Sequence, residues 1–89
     1  MPTISFFYGI IIQMFFYDNG QHHSPHIHVL YQDDESVFSI ENASIIEGQL
    51  PNKQRKMVEA WIEIHKEELM ADWKLAISGQ EIFKIAPLR

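Results

Sequence analysis

Four of the five histidines fall within seven residues, His22-His23-Ser24-Pro25-His26-Ile27-His28, where the chain departs furthest from an ordinary composition. Imidazole titrates near neutrality, so it serves as a general acid or base, and in its neutral form it binds zinc, nickel or copper. If the segment is extended, alternation puts His26 and His28 on one face with Cα atoms about 7 Å apart, and both rings can converge on one ion. A His-x-His pair is half a site. His22 or His23 in the preceding loop is the candidate third ligand, and Asp18 is a candidate carboxylate ligand or an acceptor that orients a ring. Three such ligands with an open fourth position would suit a metal-dependent hydrolase. The same histidines also read as a polar strand start that takes up metal only adventitiously. No cofactor is therefore required by the sequence, and a transition metal (zinc, nickel or copper) is the candidate.

A metal-free chemistry is open to the same pair. Two imidazoles can act as base and acid in RNA phosphodiester cleavage if a cation stabilises the phosphorane charge. Lys53, Arg55 and Lys56 form the only basic cluster, and such a cluster is otherwise a solvated helix face. Pro2, if exposed as an N-terminal amine, would suit a tautomerase base, a reading that needs removal of Met1. The four glycines make no phosphate-cradling loop, and neither a G-x-S-x-G elbow nor a His-Glu-x-x-His helix occurs.

The elements that must hold the histidines follow from periodicity. From Ile4 the residues Ile4, Phe6, Tyr8, Ile10, Ile12, Met14 and Phe16 alternate onto one apolar face, with Gly9 marking a bulge or a break between two strands. The turn residues Asp18-Asn19-Gly20 end this run. Pro25 to Tyr31 reads as a strand, Gln32 to Glu35 as a polar turn, Ser36 to Ile40 as its hairpin partner, and Ala43 to Ile46 as a short further strand ended by Gly48. At Leu50-Pro51-Asn52 the period changes, and Val58, Trp61, His65, Leu69, Trp73 and Ala76 recur as one helical stripe. A single helix from Asn52 to Ser78 would be roughly 40 Å long, too long for so small a domain, so a break is expected near His65 to Glu67. The spacing thus predicts helices over 52–65 and 67–78, with Gly79 as C-cap and a last strand over 81–85.

Length and charge narrow the function classes. Eighty-nine residues make one domain, 1–89, comprising a strand meander over 4–47, the helical pair over 52–78 and the final strand. With 12 acids against 7 bases the formal charge is -5, which disfavours nucleic acid and anionic membranes as partners. The apolar stretch from Ile4 to Tyr17 is too short for a bilayer span and contains Gln13, so it reads as core. Cysteine is absent, which removes disulfides, thiolate metal sites and cysteine nucleophiles and is compatible with a cytoplasmic protein. The acids Glu59, Glu63, Glu67, Glu68 and Asp72 mark an outer helical surface, where Glu63 can pair with Lys66.

Several separated blocks carry a resemblance: the M-P-T-I-S start, F-Y-G-I-I-I-Q-M, S-P-H-I-H-V-L-Y, I-I-E-G-Q-L-P, and V-E-A-W-I-E-I-H-K-E-E-L-M-A-D-W. Together they resemble a family of small prokaryotic proteins classed as a domain of unknown function, nearly from end to end. The family's histidine block falls on His26 and His28, and its helical pattern on Trp61, His65, Glu68-Leu69 and Trp73. The resemblance implies a short cytoplasmic protein, often encoded beside another small protein, an arrangement that has prompted toxin-antitoxin suggestions. The chain departs from the pattern in its Gln21-His22-His23 loop and at Gln32, where glycine is expected after Tyr31.

The expected architecture is α+β: a four- or five-stranded, mainly antiparallel sheet with two helices packed on one face. The expected function is a non-catalytic module that binds a small protein partner, of toxin-antitoxin type, with His26, His28, His22 and His23 as binding candidates. The alternative is a metal-dependent or histidine-based hydrolase resembling a ribonuclease, with His26, His28, His23 and Asp18 as candidate ligands. A homodimer through an exposed edge strand is the further expectation for partners, and no membrane association is expected.

Overall fold

Tight turns between apolar, β-branched runs make the first half of the chain a meander. The computed structural model describes residues 2–16 and 24–89. Strands β1 (Thr3–Phe7), β2 (Ile10–Gln13), β3 (His26–Tyr31), β4 (Asp34–Ser39) and β5 (Ser44–Gly48) form one antiparallel sheet in the order β1-β2-β3-β4-β5. Helices α1 (Asn52–Ile64) and α2 (Lys66–Ile77) follow, so the protein is an α+β fold. Tyr8 and Gly9, with φ of 49° and 79°, join β1 to β2 as a two-residue turn in which both central residues are left-handed, the form that matches strand twist. Gln32-Asp33 joins β3 to β4 in the same number of residues.

Pairing assigns the faces. Ile10 and Ile12 of β2, Ile27 and Val29 of β3, and Phe38 of β4 align across the sheet. They are fully buried in one core with Val58, Trp61, Ile62, Leu69, Trp73 and Ala76 of the helices. The helices therefore cover this face, through the stripe that the sequence predicts. His65 alone separates them: its φ of -109° leaves the helical region, its N–H still bonds the carbonyl of Trp61, and its carbonyl accepts from Leu69. Glu63 pairs with Lys66 across the break at 3.2 Å. Gly79, at φ 74°, ends α2 with bonds from Gly79 N–H to Ala76 O and from Gln80 N–H to Leu75 O, an arrangement that satisfies the last carbonyls.

Two expectations are corrected. Phe6 and Tyr8 do not join the core face of Ile10 and Ile12; they are 61% and 60% exposed, while Phe7 is buried against Trp61 with ring centroids 5.4 Å apart. The hairpin is the cause: Phe7 pairs with Ile10, so the turn resets the alternation, and an irregularity between Thr3 and Ser5 shifts it again. Residues 81–85 form no strand. The segment after α2 is instead an irregular strap fixed by three bonds: Phe83 N–H to Asp72 Oδ1 at 3.0 Å, Ile85 N–H to Ile4 O at 2.8 Å, and Trp61 Nε1–H to Ala86 O at 2.8 Å. One backbone bond to β1 closes that edge without continuing the ladder.

Candidate functional site

Two histidines share β3 and yet stand in different surroundings. Both belong by alternation to the face turned away from the core residues Ile27 and Val29, and their rings meet edge to face with centroids 5.3 Å apart. His26, at the first position of the strand, is 1% exposed, and its ring also lies 4.9 Å from that of Trp73 in α2. Its Nδ1–H donates to the carbonyl of Ser24 at 2.8 Å, which in the neutral ring leaves the lone pair on Nε2. His28 is half-buried and stacks on Phe15, with centroids 4.1 Å apart and planes 28° from parallel. The four rings Phe15, His28, His26 and Trp73 thus form a continuous row from the open sheet face to α2.

Beyond His28 the open face is concave. The register places Gln13, His28, Val37 and Glu47 side by side across β2 to β5, and Leu30 beside Glu35 in the adjacent row. With Phe15 they line a depression of about 400 Å³. Its floor is apolar, through Leu30, Val37 and Phe15, and its polar groups are one imidazole, one amide and two carboxylates. The carboxylates and imidazole of such a surface supply hydrogen-bond acceptors more readily than a nucleophile.

Gly48 shapes the rim. Its φ is +80°, and a Cβ there would stand 2.2 Å from the carbonyl oxygen of Glu35 and 2.9 Å from Ser36 Cα. Only glycine lets β5 approach β4 this closely. Opposite it the register slips, Val37 pairing with Glu47 and Phe38 with Ile45, so Ile46 is the extra residue of a bulge. That bulge turns Glu47 onto the open face.

Among the sequence candidates, His26 and His28 are brought together, while His22, His23 and Asp18 lie outside the described residues. Among the described residues no group of three His, Cys, Asp or Glu side chains is placed to hold a metal ion. The Nδ1–H bond of His26 to a backbone carbonyl is the orienting contact that a metal-binding histidine uses, so His26 and His28 are the pair that would contribute to such a site. The basic cluster is elsewhere. Gln54 of α1 bonds the hydroxyl of Tyr31, at the end of β3 remote from His26, and Arg55 is engaged by Glu59 at 3.0 Å and by Asn52. Five residues of strand, about 17 Å, separate that end from His26.

Glu35, Glu47, Gln13 and Phe15 were invisible as site residues in the linear pattern. Glu35 reads as part of a turn until the two-residue loop at Gln32-Asp33 places it in β4, and Glu47 reaches the face only through the bulge. The left-handed glycine following Glu47 is the signal that could have disclosed it.

A second polar constellation lies in α2. Asp72 is buried, Oδ1 accepts from Phe83, and Oδ2 has no partner among the described residues. Burial pushes its carboxyl above the usual 3.8; the Phe83 N–H opposes the rise and the nearby charge of Glu68 adds to it. His65, at the helix break, donates Nδ1–H to Glu68 at 2.6 Å and lies against Trp61.

The fold and this open-faced sheet define a small α+β protein with an open depression rather than an enclosed pocket. A family profile described as Domain of unknown function (DUF4160) matches residues 9–74, most of the chain, and the protein belongs to that family. The match takes in both histidines of β3, the Glu47-Gly48 bulge and the stripe of both helices as far as Trp73. Neither a curated protein nor a solved structure gives a match. No helix among the described residues is long and apolar enough to cross a membrane.

Proposed function

We propose that this protein is a non-catalytic module that binds a small protein partner through the open face of its sheet, in an arrangement of toxin-antitoxin type. The supporting observation is the depression around His28: an apolar floor with a polar rim, lined by no residue of either helix. Apolar centres ringed by polar groups are what protein interfaces use. The formal charge of -5 weighs against nucleic acid as the ligand. Hydrolysis of RNA gains no support from the basic cluster Lys53, Arg55 and Lys56, whose neighbour Gln54 bonds Tyr31 at the end of β3 remote from His26. The module is taken to act in the cytoplasm, with which a cysteine-free chain is compatible.

Co-expression with a small protein encoded beside this one, the arrangement that the family resemblance implies, tests this reading. The two should co-elute from size exclusion, and the combined His28→Ala/Leu30→Asp substitution should abolish the complex while circular dichroism shows the fold retained. A complex of undiminished affinity in that folded variant would remove the open face from the interface and sink the proposal.

A further inference from the structure

Charge is segregated along this chain in a way that the net value conceals. Residues 1–52 contain six acids and no lysine or arginine, whereas all seven bases lie from Lys53 onward. Every strand of the sheet is drawn from the first part and both helices, apart from Asn52 at the start of α1, from the second. The open face is thus built wholly from a segment without lysine or arginine, while five of the seven bases, Lys53, Arg55, Lys56, Lys66 and Lys74, belong to the helices and Lys84 and Arg89 follow α2. Fields of this kind select partners of opposite sign and speed their encounter.

Within that field the depression combines two features. Glu35 and Glu47 supply carboxylates from neighbouring strands, and Leu30, Val37 and the Phe15–His28 stack supply an apolar and aromatic floor. A long cationic side chain matches both: its methylene stem packs on apolar surface, while a guanidinium lies flat on an aromatic plane and donates to carboxylates. Two alternatives fit less well. A second copy of this chain would set two cation-free faces against each other. Addition of a strand to the outer edge of β5 would meet the bulge at Ile46, a device that blunts sheet edges.

Resting on the reading of this face as a docking surface, we propose that its occupant is a basic segment of the protein partner, which inserts an arginine side chain between Glu35 and Glu47 over the Phe15–His28 stack. The contact is made by side chains on the face and not by extension of the sheet.

A blocked peptide of alternating arginine and alanine, titrated into the full ¹⁵N-labelled chain, tests the occupant against its citrulline counterpart, which keeps the planar shape but loses the charge and replaces one pair of N–H donors with a carbonyl. The amides of Gln13, His28, Glu35 and Glu47 should shift on adding the arginine peptide. Its affinity should exceed that of the citrulline peptide by about tenfold, the effect of one strong charge-assisted contact, and should fall by a similar factor in Glu35→Gln/Glu47→Gln. Equal affinity for the two peptides, or an arginine affinity unchanged in the double variant, overturns the proposal. The co-expressed partner separates this failure from that of the docking face. A complex that survives Glu35→Gln/Glu47→Gln but is lost in His28→Ala/Leu30→Asp keeps the face and overturns the cationic occupant.

Discussion

His26 and His28 are two residues apart, and their surroundings assign them different work. His26 is sealed between His28 and Trp73 and bonded to Ser24, so removing its ring leaves a cavity and an unpaired carbonyl. His26→Ala should cost about 2–4 kcal/mol of stability in urea denaturation, and His28→Ala less than half of that, because the latter ring borders the solvent-facing depression. The reverse order would mean that the burial of the pair has been misassigned. Asp72 offers a second test at this scale. Its folded carboxyl holds a proton more tightly than the unfolded one, so its contribution to stability is complete below about 3.8 and is lost as pH rises through the raised folded value. Asp72→Asn removes that titration and keeps an acceptor for Phe83. The stability of the variant relative to the parent should therefore climb with pH, from acid to neutral, in parallel urea series; a flat difference would show that Asp72 does not titrate abnormally.

Among the elements, β5 depends most on one residue. Gly48→Ala would combine left-handed strain with a collision against the backbone of Glu35 and Ser36. We expect a loss of about 2 kcal/mol or more in chemical denaturation, with Glu47 displaced from the open face. A neutral result would mean that the bulge is not required to hold β5 on β4. Much of the architecture is legible in the sequence for local reasons. The helical stripe from Val58 to Ala76 has one period, Gly79 caps it, and the break at His65 follows from length and from the Glu67-Glu68 pair that suits a helix start. The family resemblance, and not local pattern, implies glycine at position 32, and Gln32 sits at φ 53°, a conformation that glycine adopts without strain. What escapes a linear reading is whatever a turn resets. Phe6 and Tyr8 read as core because alternation was carried through a hairpin, and Glu81 to Ile85 read as a strand because short, β-compatible segments suit a strap equally well. For the site, the pairing of His26 with His28 was legible from a period of two. Their unequal burial was not, since it is set by Trp73, which packs against β3 from a distant part of the chain.

Viewed as a whole molecule, the two layers differ in electrostatics as well as in secondary structure. The sheet half, which holds no lysine or arginine, has its open face on one side and turns the other to helices that carry five of the seven bases. An interaction of this face with a basic partner should accordingly weaken with ionic strength on the scale of a Debye length near 8 Å. Ile85 bonds Ile4 directly, and Ala86 is held by Trp61, so the first and last described stretches run beside each other along the β1 border. Anything tethered to either terminus, whether a neighbouring polypeptide or a fluorescent label, leaves from that one border. The histidine-bearing surface of β3 to β5 lies across the sheet from such attachments and stays unobstructed by them.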